Sequence, residues 1–395
     1  MTFLFSFYLT GCLAMLVAGL AEQRAHHKSL HSIPHRIVIN GIRGKSSITR
    51  LCAGALRGGG VTTVAKTTGT AARFIGPDGV DEPIYRKFNL ANVIEQVAIV
   101  RRAAAFRPEA LVIECMAVLP DLQEINERKL IHSTICVICN VREDHLAEMG
   151  PTLPDIARSL SRSMPTGGVC VTAEKEQIAV LREEARRRKC ELIQVDADEI
   201  DDETVAMFPF ITFKENIAIA LAVAGMCGIE RESALQGMIT SPPDPGTVAV
   251  DDYEVDGRRL SFANLFAAND PSSTLMNIEQ LTDRGLIDRP LNIVINCRPD
   301  RVERNGQMGA LTGALEPDRI ILIGEPTRSA RVTVPPELTD KIRDFGSRPD
   351  YDDLLGDVLT ENGSGSVITI GNIHGQGEVL LEHVRKLPRA MEDAC

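Results

Sequence analysis

Apolar and polar positions alternate between strand-like and helix-like patterns over most of the chain. Short apolar runs at residues 37–39, 110–113 and 169–172 are typical of buried parallel strands, and residues 46–57 and 90–106 have the spacing of helices. This alternation predicts an α/β fold with a doubly wound parallel sheet, in which ligands bind at the carboxyl ends of the strands.

Three prolines and a glycine within residues 241–246 interrupt this pattern. Because both residue types end helices, we place a domain border there, between a first domain at 35–243 and a second domain at 244–395. The second domain is predicted to be a smaller, Rossmann-like α/β unit from its strand-like runs, at 260–263, 292–296, 319–323 and 366–370.

The N-terminus contains the longest apolar stretch. A run of 20 uncharged residues begins at Thr2, and at about 1.5 Å per residue it matches the roughly 30 Å hydrocarbon core of a membrane. We expect a single transmembrane anchor at residues 1–22 and a polar linker at 23–34. Basic residues in this linker place the domains that follow in the cytoplasm, at the inner membrane. A cleaved signal peptide is the alternative.

Composition narrows the classes of ligand. The 43 basic and 54 acidic residues give a net charge of −11, which argues against nucleic acid as a partner. The ten cysteines have no disulfide spacing, so we expect reduced thiols. Cys136 and Cys139 form a C-x-x-C pair, but residues three apart on a strand point to opposite faces, which disfavours a metal site.

A glycine turn joins the first predicted strand to the first predicted helix of the first domain. Gly41 and Gly44 bracket the turn, and Lys45 and Ser46 follow at the helix start. This arrangement aims backbone N–H groups at one point, which suits the phosphates of a nucleotide. Lys45 would reach the outer phosphates, and the Ser46 hydroxyl would reach a magnesium ion. The turn is shorter than the full P-loop pattern, and an ordinary strand-to-helix turn is the alternative.

Polar residues also follow the neighbouring strands. Glu114 ends the run at 110–113, where a carboxylate is well placed to hold magnesium, and His145 is a second candidate metal or phosphate contact. Thr68 and Thr70 are candidate substrate contacts in the loop after the second strand. The respective alternatives are a capping carboxylate, a surface histidine and a solvated turn.

Three loops of the second domain are expected at one edge of its sheet. Their polar side chains are Asn269, Asp270, Arg298, Arg301, Arg304 and His374. We expect these loops to close over the nucleotide and to supply positive charge for an anionic substrate. The alternatives are ordinary loop chemistry and, for the arginines, a solvated helix face.

Together these motifs resemble the Mur ligase superfamily of ATP-dependent amide ligases, and more closely the ATPase and ligase subunits of poly-γ-glutamate synthases. The matching segments cover nearly the whole chain in order: GIRGKSS (41–47), AKTTGT (65–70), IECMAV (113–118), NVREDHLAEMG (140–150), ENIAIALAVA (215–224), FAANDPSST (266–274), NCRPDR (296–301) and GNIHGQGE (371–378). One departure is that residues 155–164 contain no counterpart of the carbamoylated lysine found in many Mur ligases.

The resemblance implies a role for each candidate residue. Lys45, Glu114 and His145 would be catalytic, and Ser46, Glu114 and His145 would hold Mg²⁺ or Mn²⁺. The implied ATP-binding residues are Gly41, Arg43, Gly44, Lys45, Ser46, Ser47, Asn216 (near the adenine), Asn269, Asp270 and Arg298. The candidate substrate residues are Thr68, Thr70, Arg301, Arg304 and His374.

We therefore expect an ATP-dependent amide ligase at the cytoplasmic face of the membrane. It would activate the terminal carboxylate of a poly-γ-glutamate chain as an acyl phosphate and join it to the amine of glutamate. Expected partners are other small membrane subunits of the synthase and further copies of this chain in a homo-oligomer. Two alternatives remain, namely a Mur- or folylpolyglutamate-type ligase for a small acceptor and a nucleotide-switched scaffold of a capsule-export complex.

Overall fold

The protein consists of two compact units, Met1–Pro245 and Gly246–Cys395. The computed structural model describes residues 2–69, 72–86, 92–244, 248, 250–255, 257–266, 268, 270–359 and 365–390, without the side chains of residues 2–4 and 6. The sequence predicts the border after residue 243, two residues before the end of the first unit.

The first unit is built on an eight-stranded sheet. Its strands are β1 (His35–Asn40), β2 (Thr63–Thr67), β3 (Arg73–Ile75), β4 (Asp81–Pro83), β5 (Ala110–Glu114), β6 (Ile135–Ile138), β7 (Val169–Thr172) and β8 (Glu191–Gln194). They lie in the order β4-β3-β2-β5-β1-β6-β7-β8. All pairs from β2 to β8 are parallel, as predicted, whereas the unpredicted strands β3 and β4 add an antiparallel edge.

Helices cover both faces of this sheet. They are α1 (Thr2–His31), α2 (Lys45–Gly58), α3 (Glu95–Ala105), α4 (Pro120–Ile125), α5 (Leu146–Met149), α6 (Leu153–Leu160), α7 (Ile178–Arg188), α8 (Asp202–Ala206), α9 (Lys214–Met226) and α10 (Arg231–Ile239). A π-helical segment, Asn126–Ile131, continues α4. Side chains of β1 alternate between the layers, since Ile37 and Ile39 join one apolar core and Val38 joins another. The sheet is therefore doubly wound.

Helix α2 is held by direct backbone contact with α10. A Cβ atom on Gly54 would lie 2.7 Å from the Gly237 carbonyl oxygen, and a Cβ atom on Gly58 would lie 2.3 Å from the Ser233 carbonyl oxygen. Only glycine permits this approach. The contact fixes the helix that begins with Lys45 and Ser46.

The N-terminal helix differs from the prediction. Residues 23–31, predicted as a linker, continue α1, because Leu30 in its last turn, with Ile33 just beyond its end, packs into the same core as Val38. Nor is the predicted transmembrane span found. Among the residues that the structure describes, none of the helices has both the length and the hydropathy needed to cross a membrane.

The second unit contains a six-stranded sheet with helices packed on it. Its elements are β9 (Val250–Val255), β10 (Arg258–Asn264), α11 (Pro271–Asp283), β11 (Leu291–Cys297), α12 (Val302–Leu315), β12 (Arg319–Gly324), α13 (Arg328–Arg331), β13 (Ile342–Gly346), α14 (Tyr351–Val358), β14 (Gly365–Gly371) and α15 (Gln376–Val384). The order is β13-β12-β11-β14-β10-β9, and only the β9–β10 pair is antiparallel within the described residues. The predicted α/β fold with parallel strands is confirmed.

Candidate active site

A tight turn connects β1 to α2 at the centre of the first sheet. We call residues 41–46 the phosphate turn. Gly41 and Gly44 have φ angles of 136° and 79°, which side chains rarely tolerate, and a Cβ atom on Gly41 would lie 2.8 Å from the Cβ of Cys139. The Lys45 ammonium donates to the carbonyl oxygens of Gly41 (2.9 Å) and Ile42 (3.1 Å). The turn thus combines a helix N-terminus with a cation and suits an anion.

Two asparagines that sequence reasoning missed hold the phosphate turn in place. The buried Asn40 side chain donates to Gln123 Oε1 (2.8 Å) and Ser163 Oγ (3.0 Å). The Asn140 side chain accepts from the Arg43 backbone N–H and donates to the Arg43 carbonyl oxygen, both at 3.0 Å. Side-chain clamps on both flanks pre-organise the turn before any ligand binds.

Glu114 lies beside the phosphate turn because β5 is paired with β1, with Ile39 opposite Glu114. The residue is 2% exposed, and its carboxylate oxygen Oε2 accepts hydrogen bonds from Ser46 Oγ and from the Thr68 backbone N–H, each 2.7 Å long. The structure therefore brings together three residues that are predicted to act at one site but are separated in sequence.

Magnesium is the cofactor to test against this geometry. A serine hydroxyl and a carboxylate oxygen, 2.7 Å apart at the mouth of a strand, are the oxygen ligands that Mg²⁺ prefers. Among the described residues, no group of three or more histidine, cysteine and acidic side chains is arranged to hold a metal by itself. Mg²⁺ usually keeps several waters and binds substrate phosphates, so the Ser46–Glu114 pair fits a nucleotide-bound ion.

His145 follows β6 and lines the same cavity as Lys45 and Glu114. Its backbone is left-handed, with φ of 52°, and its side chain is 46% exposed. Its Nδ1 is 3.8 Å from Glu148 Oε2, and its Nε2 is 4.0 Å from Asp144 Oδ2. The ring is therefore accessible, and its contacts with these two carboxylates are long.

Other predicted ATP-binding residues surround the phosphate turn. Arg43 forms an ion pair with Asp144 at 2.9 Å, and Ser47 lies in the first turn of α2. Asn216, in the first turn of α9, has its Oδ1 atom 3.6 Å from the position of a Cβ on Gly44. Asn216 therefore lies beside the turn itself. Thr70, a predicted substrate contact, lies outside the described residues.

The cavity has a volume of about 220 Å³, below the roughly 300–1,000 Å³ of typical ligand pockets. This volume suits the phosphate end of a nucleotide and a small acidic group. Its lining combines the phosphate turn with segments that follow β2, β4, β5 and β6: Asn40, Gly41, Ile42, Lys45, Thr68, Gly69, Arg86, Glu114, Cys115, Met116, Ala117, Val118, His145 and Met149.

Arg86, which lines the cavity, belongs to a charge cluster that sequence reasoning missed, made of Lys66, Arg86 and Glu95. The Glu95 carboxylate accepts two hydrogen bonds from Arg86, at 2.7 and 3.1 Å, and forms an ion pair with the fully buried Lys66 ammonium at 2.9 Å. Burial lowers the pKa of Lys66, and Glu95 opposes that shift. Burial alone would raise the pKa of Glu95, but Arg86 and Lys66 outweigh it and hold that pKa below its ordinary value.

In the second unit, β10, β14 and β11 are adjacent and parallel, so the loops after them share one edge. Arg304 donates to Asn372 Oδ1 (3.2 Å), and the buried Asn296 side chain donates to the carbonyl oxygens of Asn372 and His374. These residues are brought together as predicted, on a scaffold of asparagines.

The remaining predicted residues of this edge have local partners. Arg298 pairs with Asp300 at 2.9 Å, and the more exposed Arg301 lies 3.8 Å from the same carboxylate. Asp270 caps α11 by accepting the Ser273 N–H at 2.8 Å, and His374 contacts Glu378 at 2.8 Å. Asn269 lies outside the described residues.

Solved structures share this fold over almost the whole chain. MurF from Acinetobacter baumannii superposes with a TM-score of 0.69 at 16% identity, covering 93% of this chain and 80% of that one. E. coli FolC in complex with ADP gives 0.63 at 13%, covering 92% and 93%, and an FPGS-AMPPCP complex gives 0.61 at 17%, covering 92% and 95%. The chain therefore shares the fold of MurF, FolC and FPGS, and its phosphate turn follows the first strand of the first unit.

Two relatives identify the family. The capsule biosynthesis protein CapB of Bacillus anthracis is 38% identical over 375 residues, which are 94% of this chain and 80% of that protein. The PGA synthase CapB of Bacillus subtilis (strain 168) is 38% identical over 387 residues, 96% of this chain and 97% of that protein. A model of the poly-gamma-glutamate synthase CapB C-terminal domain matches residues 250–387. The chain belongs to the CapB family, which confirms the resemblance seen in its motifs.

Proposed function

We propose that this protein is an ATP-dependent ligase that elongates poly-γ-glutamate. The observation that carries the proposal is the convergence of Ser46, Glu114 and Thr68 beside the Lys45 ammonium. This arrangement fits a nucleoside triphosphate. Identity of 38% with a PGA synthase over 96% of the chain supports glutamate as the monomer.

An amine that attacks a carboxylate would have to expel an oxide ion, which is a very poor leaving group. The carboxylate oxygen must therefore first be converted into a better leaving group. In the proposed reaction, an oxygen of the chain's terminal γ-carboxylate attacks the γ-phosphorus of ATP, the bond from that phosphorus to ADP breaks, and an acyl phosphate forms. The amine of glutamate, having lost a proton to water, then attacks the acyl carbon. The carbon–oxygen bond to phosphate breaks, which leaves an amide and inorganic phosphate.

The residues of the first unit have distinct parts in this scheme. Lys45 stabilises charge on the phosphates, and the backbone N–H groups of the phosphate turn orient them. Ser46 and Glu114 would hold Mg²⁺, or Mn²⁺ in its place, with the accessible His145 as a further contact. When bound, the ion neutralises phosphate charge and polarises the γ-phosphoryl group. Thr68 orients Glu114 through its backbone N–H.

We assign the carboxylates of the incoming glutamate to the arginine-rich edge of the second unit. Arg304 is positioned by Asn372, and Arg301 and His374 lie at the same edge, where about half or more of each side chain is exposed. Guanidinium groups bind carboxylates through paired, charge-assisted hydrogen bonds. We also propose that Asp270 and Arg298, at the same edge, bind the nucleotide.

We also propose attachment to the cytoplasmic face of the membrane through α1, with other small membrane subunits and further copies of the chain as partners. The uncharged run from Thr2 supports this, as do large apolar side chains of α1 between Phe5 and Leu20 that are 44–70% exposed. Cell fractionation tests it. Full-length protein is expected in the membrane fraction, and deletion of residues 2–21 is expected to release it; an unchanged distribution would contradict the proposal.

The test of the function uses purified full-length protein with ATP, Mg²⁺, glutamate and a γ-linked glutamate oligomer. We expect ADP to form only when glutamate and oligomer are present, and mass spectrometry to detect products one or more residues longer. ATP hydrolysis without a longer product would favour a nucleotide-switched scaffold. Extension of a folate or peptidoglycan precursor but not of the oligomer would favour the small-acceptor ligase.

A further inference from the structure

We propose that Arg86 binds the α-carboxylate of the terminal residue of the γ-glutamyl chain, next to the γ-carboxylate that receives the phosphoryl group. This inference rests on the proposed function and adds a substrate-binding residue to the same cavity. Arg86 lies outside the matching segments of the sequence.

The first argument is the charge of the cavity wall. Lys66 and Arg86 share the single carboxylate of Glu95, so the cluster carries one excess positive charge when all three groups are ionised. Lys45 and Glu114 in the same cavity balance each other, and Arg43 is paired with Asp144. Burial lowers the pKa of Lys66, and an anionic ligand beside Arg86 would offset the cost of keeping both cations charged, so the charged form of the cluster favours an anion in the cavity.

The second argument is the geometry of Arg86. Among the residues that the structure describes, its hydrogen bonds use Nε and Nη2 only, and both go to Glu95. The Nη1 side of the planar group therefore remains available to an acceptor. Arg86 is 16% exposed and lines the cavity, whereas Lys66 is fully buried behind it and fixes Glu95. The guanidinium is thus held in one orientation in advance, as in other pre-organised carboxylate sites.

The third argument is position. In the first sheet, β5 lies between β1, which leads into the phosphate turn, and the strands β2, β3 and β4. Arg86 follows β4, so it lies on the opposite side of β5 and Glu114 from the phosphate turn. Phosphates bound at the turn leave the Arg86 side of the cavity for the second substrate. A cation paired directly with the reacting carboxylate would weaken it as a nucleophile. The neighbouring α-carboxylate, which keeps its charge throughout, is therefore the better partner.

The experiment is a cycle that changes both the enzyme and the acceptor. The acceptors are γ-linked triglutamate and the same peptide with a carboxamide in place of the α-carboxylate on the residue that carries the free γ-carboxylate. We expect the amide to lower kcat/KM of the full-length wild type by roughly 10- to 100-fold, the size of a charge-assisted hydrogen bond. Arg86→Gln should lower kcat/KM for triglutamate by a similar factor, yet distinguish the two acceptors by less than about twofold.

Controls separate this role from structural or nucleotide-binding roles. Arg128→Gln removes an exposed arginine that pairs with Glu124 and should behave like the wild type. Affinity for ATP should stay within about twofold in Arg86→Gln. Arg86→Lys keeps the charge but not the planar group, so it should retain part of the discrimination, and it replaces Arg86→Gln if that variant does not fold.

Two results would overturn the inference alone. One is that the wild type reacts and the effects of Arg86→Gln and of the carboxamide on the free energy of activation, taken from kcat/KM, are additive. The other is that Arg86→Gln lowers the affinity for ATP as much as the affinity for the acceptor, which would make Arg86 a phosphate contact. If the wild type forms no ADP with either acceptor, this inference and the proposed function both fail.

Discussion

The two units differ in whether they bury charged or titratable polar side chains. Besides amides and hydroxyls, the first unit buries the ionisable side chains of His26, Arg50, Lys66, Glu114, Glu127 and Glu174, each less than 9% exposed. In the described part of the second unit, the polar side chains buried to this extent are all amides or hydroxyls: Thr274, Asn292, Asn296, Asn305, Thr312, Ser366, Thr369 and Asn372. Its arginines remain nearer the solvent.

This difference separates two ways of recognising an anion. Buried charges are tolerated only when partners hold them, and the first unit supplies such partners, as with Arg50 and Asp81 at 2.6 and 3.1 Å. At the edge of the second unit, the neutral Asn372 side chain positions Arg304, and a neutral amide costs less to desolvate than a charged partner. We therefore expect charge changes in the first unit to affect chemistry and pH dependence strongly, and changes in the second unit to affect substrate affinity.

The largest effect should come from Lys45→Ala. Loss of the ammonium beside the phosphate turn should lower glutamate-dependent ATP turnover at least about 1,000-fold, because transition-state charge on the phosphates is no longer stabilised. The rate of ADP formation in the presence of glutamate measures this loss of turnover. Lys175→Ala removes an exposed lysine paired with Asp198 and should leave turnover unchanged. An unchanged melting temperature would show that the fold is intact, and undiminished turnover in Lys45→Ala would exclude the assigned role.

A second effect should appear in stability. Burial raises the pKa of Glu127 from 4.5 to about 7, so the folded state holds a proton that the unfolded state has lost between these values. Stability should therefore fall as pH rises from about 4.5 to 7, by at most about 3 kcal/mol at roughly 1.4 kcal/mol per unit. Glu127→Gln cannot ionise, so urea unfolding should show it gaining stability relative to wild type over this range.

The control for Glu127 lies three residues earlier. Arg128 and Arg162 lower the pKa of Glu124, so its contribution is present above its ordinary pKa and is lost as pH falls. Glu124→Gln should therefore change relative stability with the opposite sign. A difference between Glu127→Gln and wild type that does not vary with pH would show that Glu127 ionises normally.

Glu114→Gln should lower turnover about 100-fold and raise the Mg²⁺ concentration needed for half-maximal rate, because the amide has one oxygen and no charge. A matched variant is Glu174→Gln, another buried glutamate that follows a strand of the same sheet but accepts backbone N–H groups of Val141, Glu176 and Gln177. It should leave the Mg²⁺ requirement unchanged. Equal shifts in both variants would point to a general structural effect.

Local patterns predicted the parts of the site formed by consecutive residues. The glycines of the phosphate turn, Lys45, Ser46 and Glu114 are recognisable because a strand end and a helix start determine their positions. The clamp on Asn40 joins residues 83 and 123 positions apart, and no periodicity signals such pairs. The cluster of Lys66, Arg86 and Glu95 was missed for the same reason, since a lysine in a strand gives no sign of its partner on a later helix.

The smallest effect that we predict is in the second unit. Arg304→Gln should raise the KM for glutamate about tenfold, with little change in ATP affinity, because one charge-assisted contact at an accessible edge is lost. Arg343→Gln, at a 62% exposed arginine of the same unit, is the matched control and should have no effect. If Arg304→Gln instead lowers ATP affinity, the arginine-rich edge binds nucleotide. The assignment of phosphate chemistry to the first unit and of the incoming carboxylates to the second unit would then be wrong.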